Sequence, residues 1–129
     1  MSMFNAVAAM IASGIQTLSN IAANTATVTG AAVAVAGFTG NLVVIQNVGV
    51  VSGTTPTLDG KIQDSVDGSA GWADVAGATF TQVTASNNVQ AIAVNADATR
   101  GFIRYVGTIA GTTPSFTSGA TALGIKVSV

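Results

Sequence analysis

The stretch Val48-Gly49-Val50-Val51-Ser52-Gly53-Thr54-Thr55-Pro56-Thr57-Leu58 is answered by Val106-Gly107-Thr108-Ile109-Ala110-Gly111-Thr112-Thr113-Pro114-Ser115-Phe116, at a constant offset of 58 residues (106 minus 48). Both prolines of the chain lie inside the two copies. Glycine admits positive φ, and proline pushes the threonine before it out of helical space. Each copy therefore reads as strand, turn, strand. Two equivalent hairpins imply an all-β domain, a β-sandwich or jelly-roll-like fold, with an approximate internal repeat.

Working outward, Thr, Val, Ala and Gly dominate from Thr25 onward, and strand-like runs at 25–29, 32–36 and 41–51 are separated by Gly30, Gly37 and Gly40. The run Leu42-Val43-Val44-Ile45 is apolar on both faces, which suits a central strand covered on both sides. After the first repeat the pattern turns to alternation, with Leu58, Gly60 and Ile62 on one face and Asp59, Lys61 and Gln63 on the other. Residues 67–71 form a glycine-rich turn leading to Trp72 and a further hairpin. Runs 78–84 and 89–96 flank the polar link 85–88. Phe80 and Val83 cannot share a face of a regular strand, so a bulge intervenes or one of them is exposed. Runs 102–110, 115–118 and 123–129 close a domain of eight to ten short strands. The predicted organisation is a sandwich over 24–129, preceded by an arm over 1–23.

The chain has 129 residues, enough for one domain, with no histidine, cysteine or glutamate and nine charged residues in all. The usual general bases, activated nucleophiles and soft metal ligands are missing, which argues against an enzyme and calls for no cofactor. A net charge of −1 offers no field for nucleic acid or anionic lipid. No charged side chain occurs before Asp59. Soluble domains ordinarily carry about a quarter charged residues, so a surface this uncharged points to a subunit covered by other proteins.

Residues 1–23 lack the basic flank of a signal peptide, and Asn5, Ser13, Gln16, Thr17 and Asn20 break any apolar span long enough to cross a membrane. Phe4, Val7, Ala8, Ile11, Ile15, Leu18 and Ala22 follow three-and-four spacing, which gives one apolar stripe if the segment is helical. The segment packs on its own domain, as a strand or a helix, or lies as an arm across a neighbouring subunit. In the second case Phe4, Ile11, Ile15 and Leu18 are contact residues.

Asp64, Asp67 and Asp74 surround a glycine-containing turn but lack the dense carboxylate set of a calcium loop, so they read as solvated turn residues and no metal is expected. As a converging pair, Asp64 and Asp74 would be the minimum for a hydrolase. Trp72, the only tryptophan, reads as a core or interface anchor, with a sugar-stacking platform as the alternative. Arg100, Arg104 and Tyr105 form the only basic-aromatic cluster. Two arginines are too few for nucleic acid, and the cluster reads as a salt bridge or an inter-subunit contact, in the second case with Arg100, Arg104 and Tyr105 as contact residues.

The stretches Leu58-Asp59-Gly60-Lys61-Ile62-Gln63-Asp64-Ser65-Val66-Asp67-Gly68, Gly71-Trp72-Ala73-Asp74-Val75, Phe80-Thr81-Gln82-Val83 and Arg104-Tyr105-Val106-Gly107-Thr108 resemble small virion proteins of tailed bacteriophages, of the head decoration or cement type. The similarity spans about the C-terminal two-thirds of the chain. It implies a β-sandwich subunit on the capsid surface of a virion, a homo-oligomer and often a trimer, with the major capsid protein as partner. It carries over no functional residues. The rival reading is a tail or adsorption component that binds cell-surface carbohydrate.

Overall fold

Val, Thr and Ile favour pleated backbone, and the computed structural model, which describes residues 14–126, arranges those residues in seven strands and one short 3₁₀ turn, Ala96–Ala98. The strands are β1 (Ile15–Asn24), β2 (Val28–Thr29), β3 (Val33–Ala34), β4 (Phe38–Ser65), β5 (Ala73–Thr79), β6 (Asn88–Asn95) and β7 (Phe102–Lys126). All pairing is antiparallel within one hydrogen-bonded sheet of order β1-β7-β4-β5, with β2 and β3 also on β7 and β6 also on β4. The all-β class expected from the sequence is what the structure shows.

The two Gly-Thr-Thr-Pro segments are not hairpin turns. They lie in the middle of β4, 28 residues long, and β7, 25 residues long, which pair with each other from Phe38↔Lys126 to Ser65↔Phe102. Straight, a strand such as β4 would extend about 90 Å. Yet Val44 and Ile62, from its two halves, sit in the same core, so the strand folds back over itself. One continuous sheet thereby makes two layers. The first holds β1, the second half of β7, the first half of β4, and β6; the second holds β2 and β3, the first half of β7, the second half of β4, and β5.

Both bends have the same chemistry. Gly53 and Gly111 have φ of 111° and 121°, Thr55 and Thr113 have φ of 47° and 46°, and each proline follows its threonine where the ladder slips register. A β-branched residue rarely enters the left-handed region, so these two threonines mark real bends. Thr54 pairs with its own repeat equivalent, Thr112, which puts a pseudo-two-fold axis between them. A side chain on Gly53 would lie 2.7 Å from the Thr113 carbonyl oxygen, and one on Gly111 would lie 2.8 Å from that of Thr55. The apolar residues that flank the repeats, Val51, Leu58, Ile109 and Phe116, meet with Val48 and Val83 in a small core beside the crossing.

The repeat extends along both long strands. Leu58, Gly60, Ile62 and Asp64 are buried, as are Phe116, Ser118, Ala120 and Ala122, each 58 positions on. In the first halves the inward residues Val44, Gln46 and Val48 correspond to Ile103, Tyr105 and Gly107 at an offset of 59 (103 minus 44). The additional residue is absorbed by the register shift between Val48 and Val51.

Other expectations need correction. Residues 15–24 form an edge strand, the extended one of the two conformations the sequence left open for this segment, and Leu18 is in the main core at 2% exposure, so 15–23 belong to the sandwich. Phe4 and Ile11 lie outside the described residues. The runs 25–29 and 32–36 shrink to the two-residue β2 and β3, and the three runs after Phe102 are one strand. The link 85–88 is no hairpin, because β5 and β6 pair with different halves of β4 and the chain crosses between layers there. Phe80 and Val83 are both buried, since the chain leaves the strand after Thr79 and Val83 bridges to Leu58 on its own.

Replacing Gly53 or Gly111 with alanine forces a Cβ into backbone on the far side of the crossing, and each change is expected to lower stability by about 1–3 kcal/mol. The pseudo-symmetry predicts similar losses at the two positions in urea denaturation; a change at either site that leaves the midpoint in place contradicts the bend assignment.

Candidate functional site

The outer faces of the two layers differ in charge. On the second layer, alternation in β4 turns Asp59, Lys61 and Gln63 outward, and β7 adds Arg104. These groups engage one another. Arg104 Nε and Nη2 donate to Gln63 Oε1 at 3.0 and 2.8 Å, Gln63 Nε2 donates to Asp74 Oδ1 at 2.8 Å, and Lys61 Nζ lies 3.0 Å from Asp74 Oδ1. The Arg104 guanidinium stands over the Trp72 ring, 4.3 Å from its centroid. Hydrogen bonds from Gln63 and then Lys61 hold the Asp74 carboxyl below the usual carboxylate range.

The outer face of the first layer carries none of the described charged side chains. Its rows follow from the register: Ala93, Val43, Leu123 and Ile15 in one; Ala91, Ile45, Thr121 and Thr17 in the next; Val89, Asn47 and Gly119 in a third. Ile21 leans over Gly119, and Ile125 stands beside Thr39. Among the described residues seven large hydrophobic side chains are exposed, and five belong to this face: Ile15, Ile21, Val43, Val89 and Ile125. Scattered apolar residues are ordinary on a protein surface, but a contiguous uncharged sheet face is not. The run Leu42-Val43-Val44-Ile45 lies between β6 and β7, a central strand as expected, but within the described chain it is covered on one side only. Leu42 and Val44 are in the core, while Val43 and Ile45 belong to this outer face.

Most sequence-selected residues are occupied within the chain. Arg100 Nε donates to Asp64 Oδ1 at 2.9 Å, and its Nη2 donates to the carbonyls of Asp64 and Gly71 at 2.6 and 2.8 Å. It thus ties the β4–β5 loop to the strand end. Leu18 and Tyr105, named as contact residues, are core residues with nothing to present to a partner. Among the described residues of the proposed contact set, only Ile15 lies on the uncharged face with its side chain substantially exposed.

Asp67 accepts backbone N–H bonds from Ser69 and Ala70, at 2.9 and 3.0 Å, and a bond from the Ser65 hydroxyl; the two backbone donors hold its pKa at about 2. Asp64 faces inward and Asp74 outward, so they do not converge as a catalytic pair would. Among the described residues no three Asp, Glu, His or Cys side chains gather as a metal site. A shallow cleft of about 280 Å³ between β1 and β2, lined by residues 17–20 and 28–31, contains no charged or titratable side chain.

Sequence reasoning also missed a buried polar pair that joins the layers. Tyr105 Oη donates to Gln46 Oε1 at 2.6 Å, and both side chains are almost fully enclosed. Gly60 and Gly107, paired on the second layer, leave the hollow the two side chains fill: a Cβ on Gly60 would collide with the Gln46 amide, and one on Gly107 would lie 2.8 Å from Tyr105 Oη. Burial pushes the Tyr105 hydroxyl well above its ordinary value of 10.0. The glycines were visible in the sequence, but their register opposite each other was not.

No protein-family model matches the chain, and neither does any curated protein.

Two pH dependences follow. Because the folded pKa of Tyr105 is raised, the unfolded chain gives up this proton first, so stability falls above about pH 10. Tyr105 is the only tyrosine, so tyrosinate absorbance should appear together with unfolding, and Tyr105→Phe should lose this alkaline dependence while leaving Gln46 Oε1 unpaired at a cost of about 1–3 kcal/mol. Conversely, the depressed Asp67 contributes stability that is complete above about pH 4 and is lost as pH falls through about 2. Urea titrations of Asp67→Asn should show a flatter acid limb than the parent protein; matching limbs would refute the turn assignment.

Proposed function

We propose that this chain is a non-enzymatic structural subunit of a virion that decorates and stabilises a phage capsid by binding the major capsid protein, with the uncharged face of the first layer as its contact surface. The observation that carries the reading is the segregation of charge: one outer face holds an ion-paired, hydrogen-bonded network, and the other holds Ile15, Ile21, Val43, Val89 and Ile125 with no charged neighbour among the described side chains. A face of that kind gains by being removed from water, at roughly 25 cal/mol per Å² of apolar area. It also involves no desolvation of charge, so a partner needs only shape and apolar surface.

Such a role requires no chemistry from the chain. A protein that binds the assembled shell but not its dissociated subunits stabilises the shell by mass action, and a symmetric array multiplies weak contacts through effective concentration. The sugar-binding alternative rests on Trp72, and Arg104 already takes one face of that ring out of stacking.

The test is mass spectrometry of purified particles from a producing culture, with the wild-type chain and with Val43→Asp. The reading expects the wild-type protein in the particles at stoichiometric copy number, and the variant, folded but with a carboxylate in the middle of the uncharged face, reduced at least about tenfold, the equivalent of about 1.4 kcal/mol of lost affinity. Absence of the wild-type chain from particles, or full occupancy by the variant, contradicts it. A truncation that tests the arm must stop at residue 13. Removing 1–23 also removes Leu18 from the core, at about 2–5 kcal/mol for that side chain alone.

A further inference from the structure

We infer that β6 is an open sheet edge that pairs antiparallel with β6 of a second copy, joining two first layers into one eight-stranded sheet with a continuous uncharged face. Edge strands present unpaired backbone groups, and proteins normally blunt them with charge, proline, bulges or brevity. The other edges are blunted. β1 has two register shifts against β7. β2 and β3 are two residues each. β5 carries Asp74, a register shift against β4, and Gly77 at φ 75°.

β6 has none of these devices. It runs eight residues, Asn88-Val89-Gln90-Ala91-Ile92-Ala93-Val94-Asn95, without a charge or a proline, and it pairs with β4 from Asn41↔Asn95 to Val48↔Asn88 without a single slip. Among the described residues β4 is its only strand partner. The Gln90 side chain takes up the backbone N–H and C=O of Thr81, at 2.7 and 2.8 Å, which ties β6 to the segment that follows β5.

The occupant that fits is a second copy. Two-fold strand pairing is isologous, so the one unblunted edge suffices, whereas a ring of three through sheet edges needs two different open edges per chain. Directly paired residues share a face, which allows axes beside Ala91 or Ile92; the first sets Val89 against Ala93 and Ala91 against its own copy on the outer face, and the second sets Ala91 against Ala93 and Val89 against Asn95. No like charges meet. This proposal stands apart from capsid binding, because it is read on the isolated chain.

The experiment is sedimentation equilibrium of the full chain from ~1 µM to ~1 mM, a range that captures weak dimers. Wild type is expected to move toward twice the chain mass. Ala91→Lys and Ala93→Lys, both at exposed outward positions on β6, are expected to sediment as monomers at concentrations at which wild type pairs, with unchanged urea midpoints. Ala76→Lys, on the already blunted edge strand β5, is expected to pair like wild type. A wild-type monomer throughout, a trimer, or a dimer that survives both β6 lysines overturns the proposal. Failure here with normal particle binding leaves the capsid reading standing, and the reverse outcome isolates the fault to that reading.

Discussion

The pairing of β4 with β7 across the two Gly-Thr-Thr-Pro bends is the constraint on which the rest of the molecule depends. Every other strand docks onto one of these two, β1, β2 and β3 on β7, and β5 and β6 on β4. Because the two long strands bend at the same place, the sheet folds over itself, and Val44, Ile62, Ile103 and Tyr105 come into one core. The pairing is also remote in sequence. Its ends join residues 88 apart (126 minus 38) and 37 apart (102 minus 65), so loop closure must be paid before the ladder contributes.

What could be read from the residues, and what could not, divides along this line. Alternation at Leu58, Gly60 and Ile62, the repeat itself and the all-β class were legible because they depend on local periodicity. Gly-Thr-Thr-Pro was misread because positive-φ glycine followed by proline serves a chain reversal and a strand bend equally well; the choice is made by a partner strand about 58 residues away. The same reason explains the arginines. Arg100 and Arg104 look available in the sequence, and their acceptors, Asp64 and Gln63, are 36 and 41 positions distant. Leu18 fits a helical stripe, but an edge strand beside β7 uses the same residue for the core.

The uncharged face was only half visible. The absence of charge before Asp59 is plain, yet its meaning depends on β1, the first half of β4, β6 and the second half of β7 lying side by side. Once they do, the charge pattern becomes spatial: the layer with Asp59, Lys61, Asp74 and Arg104 satisfies its polar groups internally and faces water, while the other offers apolar and small side chains. The two layers are related by pseudo-symmetry in backbone, so the asymmetry comes from the side chains.

Hydroxyl-radical footprinting of the protein in its assembled and dispersed forms tests the central claim most directly. The account predicts that Ile15, Ile21, Val43, Val89 and Ile125 become protected on assembly while Trp72 and its charged neighbours keep their reactivity. Protection confined to the Trp72 side, or an uncharged face that stays as reactive in the assembly as in the dispersed chain, would contradict it.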